Sequence, residues 1–320
     1  MDSRAVLSSI DLGLADHHSG KVRESWRLPD GSRLLVTTDR ISAFDRVIGT
    51  VPHKGQVLNQ LSAWWFARTT DIVANHVIAV PDPNALVAID ARPLPVEVVV
   101  RGRLTGSTST SLLPRYEAGD RVLYGHRLPE GLSAHGPLPE PIITPTTKES
   151  GGAHDQPVTC DEVVELGLVE AGLWSQVQKA AIELFERGTQ VAADAGFILA
   201  DTKYEFGLGP GGELLLIDEV HTPDSSRFWA RKTIDDRLRA GLAPEGYDKE
   251  PVRLALKAAG YSGEGPVPYL NESVLADTSS RYVELYERLT GLRFEPGSQP
   301  IDDRLRHNLA PLVGGSTETT

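Results

Sequence analysis

Charged residues crowd two adjoining segments in the second half of the chain that otherwise have the composition of buried strands. Asp201, Lys203 and Glu205 alternate along the first segment, and Asp218 and Glu219 follow the apolar run "LLLI" of the second. Between the segments, "GLGPGG" is typical of a tight turn, because glycine supplies positive φ angles and proline fixes its own φ. The pattern predicts a β-hairpin that carries carboxylates and a lysine.

The register of this hairpin decides which charges meet. If Phe206 lies opposite Glu213, then Asp201 lies across from Asp218. Lys203 shares a face with the carboxylates of its own strand, because side chains alternate along a strand. Like charges that face each other repel unless a cation lies between them. Lys203, a metal ion or both would meet that need.

Cationic residues end two other predicted strand regions. "GKVRESW" places Lys21 and Arg23 on one face of an extended segment, an arrangement suited to phosphate. "VVVRGRLTGSTSTS" places Arg101 and Arg103 at the end of an apolar strand, before a Gly-Ser-Thr loop that could cradle phosphate or carboxylate. Taken alone, the first pattern is more typical of a solvated surface pair, and the second is more often a polar turn.

Two further motifs have a structural interpretation beside the functional one. In "TPDSSRFW", Asp224 and the serines could cap a helix, and Arg227 could bind an anion at the same place. His154 and Asp155 have no partner histidines at metal-ligand spacing, which favours an ordinary loop pair.

Composition limits the class of protein. The chain has 320 residues, 40% hydrophobic and 24% charged, as expected of a soluble globular protein. No apolar run approaches the roughly 18 residues of a membrane span, and the acidic, polar N-terminus lacks signal-peptide features. Cys160 is the only cysteine, which excludes an internal disulfide and fits a reducing cytoplasm. A net charge of −12 argues against nonspecific binding to nucleic acid or to an anionic membrane.

The elements that must position these residues indicate an α+β fold. Strands dominate residues 20–110, and "GQVLNQLSAWWFART" has the spacing of one amphipathic helix among them. Residues 125–157 are rich in Pro and Gly and read as a long loop. Thr159 and Glu162 form a plausible capping box. Further helices are predicted over 171–195, 247–259 and 271–290, and "GGSTETT" reads as a frayed tail.

No single motif identifies the chemistry, but the set matches the needs of an ATP-driven, amide-forming ligase. Such an enzyme activates a carboxylate, usually as an acyl phosphate. ATP needs a divalent metal held by carboxylates and cations along its phosphates. Positioning of the reactants supplies most of the catalysis.

The motifs resemble those of the SAICAR synthetase (phosphoribosylaminoimidazole-succinocarboxamide synthase) family. The stretches that carry the resemblance include "GKVRESW", "PLPVEVVVRGRLTGS", "LPEPIITPTTKE", "LADTKYEFG", "LIDEVHTPDSSRFW" and "DKE", in family order. The loop "TGSTSTSLLPRYEAG" is similar to the longer form of plant-type members. The resemblance implies ligation of L-aspartate to the carboxylate of an aminoimidazole ribonucleotide (CAIR), with ATP and Mg²⁺, in purine biosynthesis.

The resemblance also implies an ATP-grasp-like fold with a strand-rich N-terminal lobe, 1–110, a larger α+β lobe, 111–320, and an active site between them. ATP would be bound by Lys21, Arg23 and Glu219, and Mg²⁺ by Glu205 and Asp218. Lys203 and Asp201 would be catalytic. The substrates would be held by Arg101, Ser107, Arg227, Ser42, Asp45 and Lys249.

The sequence departs from the family pattern at a few positions. Glu24, Ser25 and Trp26 follow "GKVR", where the family usually has Asp-(Ile/Leu)-Tyr. Arg103 stands where tyrosine is frequent, which would add a charge beside the ribonucleotide site, and Pro251 follows "DKE". These changes leave open a paralogue that joins an amino acid to a related heteroaromatic carboxylate in nucleoside natural-product synthesis. A catalytically silent nucleotide-binding protein is the alternative of another class.

Overall fold

The computed structural model describes residues 6–107, 111–148 and 156–313. The strands are, in chain order, β1 His18–Ser19, β2 Arg23–Arg27, β3 Arg33–Thr37, β4 Arg40–Ala43, β5 Arg46–Thr50, β6 Val77–Asp82, β7 Ala85–Ala88, β8 Arg92–Arg103, β9 Val122–Leu123, β10 His126–Arg127, β11 Pro137–Thr147, β12 Phe197–Leu208, β13 Leu214–Ile217 and β14 Ser226–Ala230. The helices are α1 Lys54–Arg68, α2 Leu112–Glu117, α3 Cys160–Glu165, α4 Ala171–Asp194, α5 Ile234–Arg239, α6 Glu250–Ala258, α7 Glu272–Thr290 and α8 Ile301–Val313. The predicted α+β class is confirmed.

An antiparallel sheet in the order β1-β2-β3-β7-β6 forms the N-terminal part. Alternation along β3 buries Leu34 and Val36 completely, and Val87 of β7 joins them in one apolar cluster. Leu305 and Leu309 of α8 complete that cluster, so the end of the described chain stabilises its beginning. The sequence analysis did not predict this helix.

A second sheet in the order β11-β8-β12-β13, with β14 also paired to β12, forms the centre of the molecule. The valines of β8 alternate inward and pack in the largest apolar cluster with α1 and α4. The helical predictions over these segments are confirmed, since α1 and α4 begin and end within a residue of the expected bounds. The strand β8 belongs to this sheet and not to the N-terminal one. The division into lobes at residue 110 stays a prediction.

The hairpin exists, but the predicted register is wrong. Phe206 pairs with Leu216 instead of Glu213, a shift of three positions. A wide turn causes the shift, because Leu208 pairs with Leu214 and the turn closes when the Gly209 N–H donates to the Glu213 carbonyl at 2.9 Å.

The shifted register gives Asp201 and Asp218 different neighbours. Asp201 pairs with Arg101 of β8 and Arg227 of β14. Asp218 follows the end of β13 directly, and its predecessor Ile217 is the Cα partner of Glu205. The two aspartates therefore do not face each other, although Asp201 lies on β12 and Asp218 directly follows its neighbour β13.

The predicted long loop over 125–157 is wrong in its central part. Residues 137–147 form β11, which pairs with β8 along most of its length. His154 and Asp155 lie outside the described residues, as does the tail 314–320. The capping box of Thr159 and Glu162 is confirmed, although the helix it begins is short.

The segment "TPDSS" does not start a helix. It forms a turn that leads into β14, so the helix-cap interpretation is wrong. Pro251 lies in the first turn of α6, where a backbone N–H has no intrahelical acceptor, so the proline costs the helix little. Within the described ranges, none of the helices has the length and apolarity needed to cross a lipid bilayer.

Candidate active site

A lysine and carboxylates meet where β8, β12 and β13 run side by side. Nζ of Lys203 lies 3.1 Å from Oε1 of Glu97 and 3.3 Å from Oδ2 of Asp218, and it also donates to Glu205. Glu97 is the Cα partner of Glu205 across the sheet. The sequence analysis anticipated a cation between facing carboxylates, and the structure places it between Glu97 and Glu205.

Opposite charges keep this cluster ionised despite its burial. Burial alone would lower the pKa of Lys203, but Glu205, Asp218 and Glu97 outweigh it and raise that pKa well above its usual value. Burial would raise the pKa of Asp218, but Arg23 and Lys203 lower it below its usual value. Lys203 and Asp218 are therefore charged at neutral pH, and with Glu97 and Glu205 they form one array of acidic and basic side chains.

Two more cations complete the array. The guanidinium of Arg23 donates to Asp218 and lies 3.6 Å from Oε2 of Glu219. Lys148, at the end of β11, donates to Glu205. Burial opposes the charge on Arg23, but the two neighbouring carboxylates raise its pKa. Burial raises the pKa of Glu219, which also accepts a hydrogen bond from a threonine hydroxyl.

A cavity of about 360 Å³ opens on this array between the two sheets. Arg23 and His76 line it from the N-terminal part, and Lys148, Glu205 and Asp218 line it from the central sheet. Its volume is in the range of small-molecule sites. His76 is buried, its Nε2 has no hydrogen-bond partner among the residues that the structure describes, and burial lowers its pKa to about 4.

A second cluster lies two residues earlier on β12. Asp201 Oδ2 accepts from Nη1 of Arg101 at 3.1 Å and from Nη1 of Arg227 at 2.5 Å. Nε of Arg101 donates to the Thr144 hydroxyl at 2.8 Å. One carboxylate thus orients two guanidinium groups and leaves other N–H donors for an anionic ligand.

Arg227 and Ser107 line a cavity of about 410 Å³, and His135 and Trp229 line it with them. Gly106 supports its entrance loop, because φ is +118° there and a Cβ atom would lie 2.2 Å from the Cβ of Ser111. The sequence analysis expected Arg103 beside the ribonucleotide site, but Arg103 does not line this cavity. Its side chain lines a separate cavity with residues of α4.

A third cluster surrounds Asp224. Nζ of the fully buried Lys54 lies 2.8 Å from Oδ2 of Asp224, Lys249 lies 4.0 Å from the same oxygen, and the Tyr282 hydroxyl donates to Oδ1 at 2.9 Å. Burial would raise the pKa of Asp224, but the two lysines lower it to about 2. Next to Lys249, burial raises the pKa of Asp248 to about 6.

The remaining expected residues lie apart from these clusters. Nζ of Lys21 contacts Oδ1 of Asp45 at 2.6 Å, and both side chains are more than half exposed. Lys21 follows Gly20, which lines the cavity between the sheets. Ser42 is buried in β4.

Sequence reasoning missed several members of these clusters. Glu97 had a signal, because it is the one charge within the apolar run "PVEVVV". Lys54, Lys148 and Tyr282 could not be assigned to a cluster from the local sequence, since their importance depends on contacts with residues far away in the chain.

Side chains that could act as metal ligands do not form a preassembled site among the described residues. Residues 6–107, 111–148 and 156–313 contain no group of three or more His, Cys, Asp or Glu side chains arranged to hold a metal ion. Glu97, Glu205 and Asp218 nevertheless converge on one cation, the ammonium of Lys203. Carboxylate oxygens are the donors that Mg²⁺ prefers, so the chemistry of this set fits that ion.

The family model for SAICAR synthetase matches residues 16–267, which is most of the chain and includes every cluster residue named above except Tyr282. The chain belongs to the SAICAR synthetase family. A phosphoribosylaminoimidazole-succinocarboxamide synthase of Legionella pneumophila (strain Lens) is 44% identical over 312 residues, covering 96% of this chain and 99% of the relative. The chloroplastic synthase of Arabidopsis thaliana is 43% identical over 304 residues, covering 94% of this chain and 73% of the relative.

Solved structures agree with this family assignment. The SAICAR synthase of Saccharomyces cerevisiae, solved in complex with SAICAR, has a TM-score of 0.73 and 30% sequence identity, covering 92% of this chain and 98% of that one. The predicted family and its plant-type likeness are therefore confirmed.

Proposed function

We propose that this protein is an ATP-dependent ligase that joins L-aspartate to the carboxylate of CAIR and releases SAICAR, ADP and phosphate. The observation that carries the proposal is the adjacency of two charge clusters on β12. Lys203 is surrounded by carboxylates beside one cavity, and Asp201 orients two arginines, one of which lines the other cavity. Two substrates bound there would meet along one strand.

The cavity between the two sheets is the proposed ATP site. Arg23 lines it and is held by Asp218 and Glu219, so its charge is placed before any ligand binds. Lys21 would turn from Asp45 toward the phosphates, which is inexpensive because an exposed ion pair contributes little. The site lies between an N-terminal and a central sheet, which supports the expected position between lobes.

Glu205 and Asp218 are the proposed magnesium ligands. When bound, Mg²⁺ would neutralise phosphate charge and polarise the phosphoryl group. Lys203 lies against both carboxylates, and its ammonium is available to stabilise charge that develops on phosphoryl or acyl-phosphate oxygens. Lys203 is therefore the proposed catalytic residue.

The ribonucleotide is proposed to bind at Arg101, Ser107 and Arg227. Guanidinium groups bind phosphate and carboxylate through paired N–H donors, and Ser107 lines the same cavity as Arg227. Asp201 was expected to be catalytic, but its contacts support a positioning role toward both arginines.

Three further residues are proposed to contribute to the substrate sites. Lys249 would do so from the cluster around Asp224, and Ser42 and Asp45 from β4 and the turn that follows it. Contacts in the structure support Lys249 most directly, because its ammonium is buried beside one carboxylate at 4.0 Å.

The test is an omission assay that measures ADP release with ATP, CAIR, L-aspartate and MgCl₂, and then with each left out in turn. We expect ADP release to require all of them and to equal the amount of SAICAR formed. A paralogue with another heteroaromatic substrate would bind ATP but release no ADP with CAIR. A catalytically silent nucleotide-binding protein would bind ATP but release no ADP with any acceptor.

A further inference from the structure

A cavity of about 520 Å³ lies between α4, β8 and the start of β11, apart from the clusters described above. It exists because β11 leaves its register with β8 between Pro137 and Ile142, so that part of the neighbouring strand is not covered. Gly102 of β8 allows the ring of Phe185 to lie against the backbone, since a Cβ atom there would be 3.0 Å from the ring. The volume fits a ligand of nucleotide size.

Two arginines without ion-pair partners line this cavity. In the described part of the chain, Arg103 is the one partly buried arginine whose guanidinium makes no hydrogen bond and no ion pair. Arg231 is exposed and lines the same cavity, and within the described residues its guanidinium also makes neither contact. Burial lowers the pKa of Arg103, the charge of Asp235 opposes this shift, and the charge of Arg231 lowers the pKa further. Two arginines that line one cavity and make no ion pair are suited to binding an anion.

The walls limit which anion can bind. Pro139, Pro141 and Phe185 supply apolar surface against which a ring can pack. Glu140 and Glu186 stand at the exposed rim, where they would repel a triphosphate or a nucleic acid and accept hydrogen bonds from hydroxyl groups. A single phosphate beside a ring and a hydroxylated sugar satisfies all of these groups.

We propose that this cavity is a second ligand site, separate from the proposed active site, which binds a nucleoside monophosphate through Arg103 and Arg231. The phosphate lies between the two guanidinium groups, and the base and ribose lie along the proline and phenylalanine wall. The inference rests on this cavity alone and does not depend on the ligase reaction.

The experiment is isothermal titration with AMP while both proposed substrate cavities are saturated with a non-hydrolysable ATP analogue, Mg²⁺ and SAICAR. We expect wild-type protein to bind one further AMP per chain. Replacing both arginines (Arg103→Gln with Arg231→Gln) should weaken this binding about tenfold or more, because each charge-assisted bond is lost. Arg293→Gln is the matched control, since Arg293 is exposed, lies outside the cavity and makes no side-chain hydrogen bond or ion pair with any described residue.

Two additional ligands, adenosine and inorganic phosphate, test whether the cavity binds the whole nucleotide or only a phosphate group. Adenosine should not bind, and inorganic phosphate should bind more weakly than AMP but with the same dependence on Arg103. If phosphate binds as tightly as AMP, the assignment of a nucleotide is overturned. The site itself is overturned if no further AMP binds, or if the double variant, with an unchanged melting temperature, binds AMP as the wild type does.

Discussion

Glu97 on β8 lies directly opposite Glu205 on β12, and the ammonium of Lys203 contacts both carboxylates. Facing carboxylates on adjacent strands destabilise a sheet unless a cation compensates them. The position of Lys203 therefore serves folding as well as the proposed chemistry. The two contributions can be separated by experiment.

Lys203→Met should lower turnover by about 10²- to 10³-fold, the loss seen when an electrostatic donor is removed from an active site. It should also lower the melting temperature in the absence of metal, because buried carboxylates lose their cation. Saturating MgCl₂ should restore most of that stability but not the turnover. If the variant recovers normal turnover per folded molecule, Lys203 has only a structural role.

Asp218→Asn should preserve the fold but abolish magnesium-dependent turnover, since a hard cation loses an anionic ligand. The measurement is ADP release over a range of MgCl₂ concentrations. Glu213→Gln is the matched control, because Glu213 is an exposed carboxylate of the same hairpin. Activity near the wild-type level at ordinary magnesium concentration would contradict the proposed role of Asp218.

Arg101→Lys keeps the charge but loses the planar fork that donates to Asp201 and Thr144. We expect weaker binding of CAIR and little change in the apparent affinity for ATP. Steady-state kinetics with each substrate varied in turn measures both effects, and Arg92→Lys, at the exposed start of the same strand, is the control. An equal loss for both substrates would mean that Arg101 supports the whole site structurally.

Lys54→Met should destabilise the protein by about 3 to 5 kcal/mol, because Asp224 would remain buried with its nearer cation removed. Chemical denaturation measures the change in the free energy of unfolding. Lys179→Met, an exposed lysine of α4, should change it little. The double variant Lys54→Met with Asp224→Asn should be more stable than Lys54→Met alone, and failure to recover stability would argue against the ion pair.

Asp248→Asn should stabilise the protein at neutral pH. Burial raises the pKa of Asp248 from 3.8 to about 6, so the folded state binds its proton more tightly than the unfolded state. The contribution of Asp248 to the free energy of unfolding is therefore fully present below pH 4, falls as the pH rises toward 6 and is absent above that. The total loss is at most about 3 kcal/mol.

The measurement for Asp248 is the free energy of unfolding from pH 4 to pH 8, compared between wild type and variant. The gain from Asp248→Asn should grow across this interval and level off above pH 6. Asp277→Asn, at an exposed position of α7, should show no such trend. A gain that is constant with pH would show that Asp248 is not protonated in the folded state near pH 5.

The sequence by itself determined the family, the fold class and the long helices. The apolar stripes of α1 and α4 have helical period, and local periodicity is enough to place such elements. The residues of the candidate site could also be predicted from the sequence, because Lys203, Glu205 and Asp218 are charged residues within or next to apolar strands. A polar residue in such a place needs a partner or a ligand.

Only the tertiary structure decided which of these charges meet. The wide turn after Leu208 shifted the hairpin by three positions, which separated Asp201 from Asp218. The pairing of β12 with β8 and β14 gave Asp201 its two arginines. Strand β11 was not predicted, because its segment is rich in proline and its pairing partner β8 lies about 40 residues earlier in the chain. The partnership of Lys54 with Asp224 had no local signal, since burial and distance between remote residues exist only after the chain has folded.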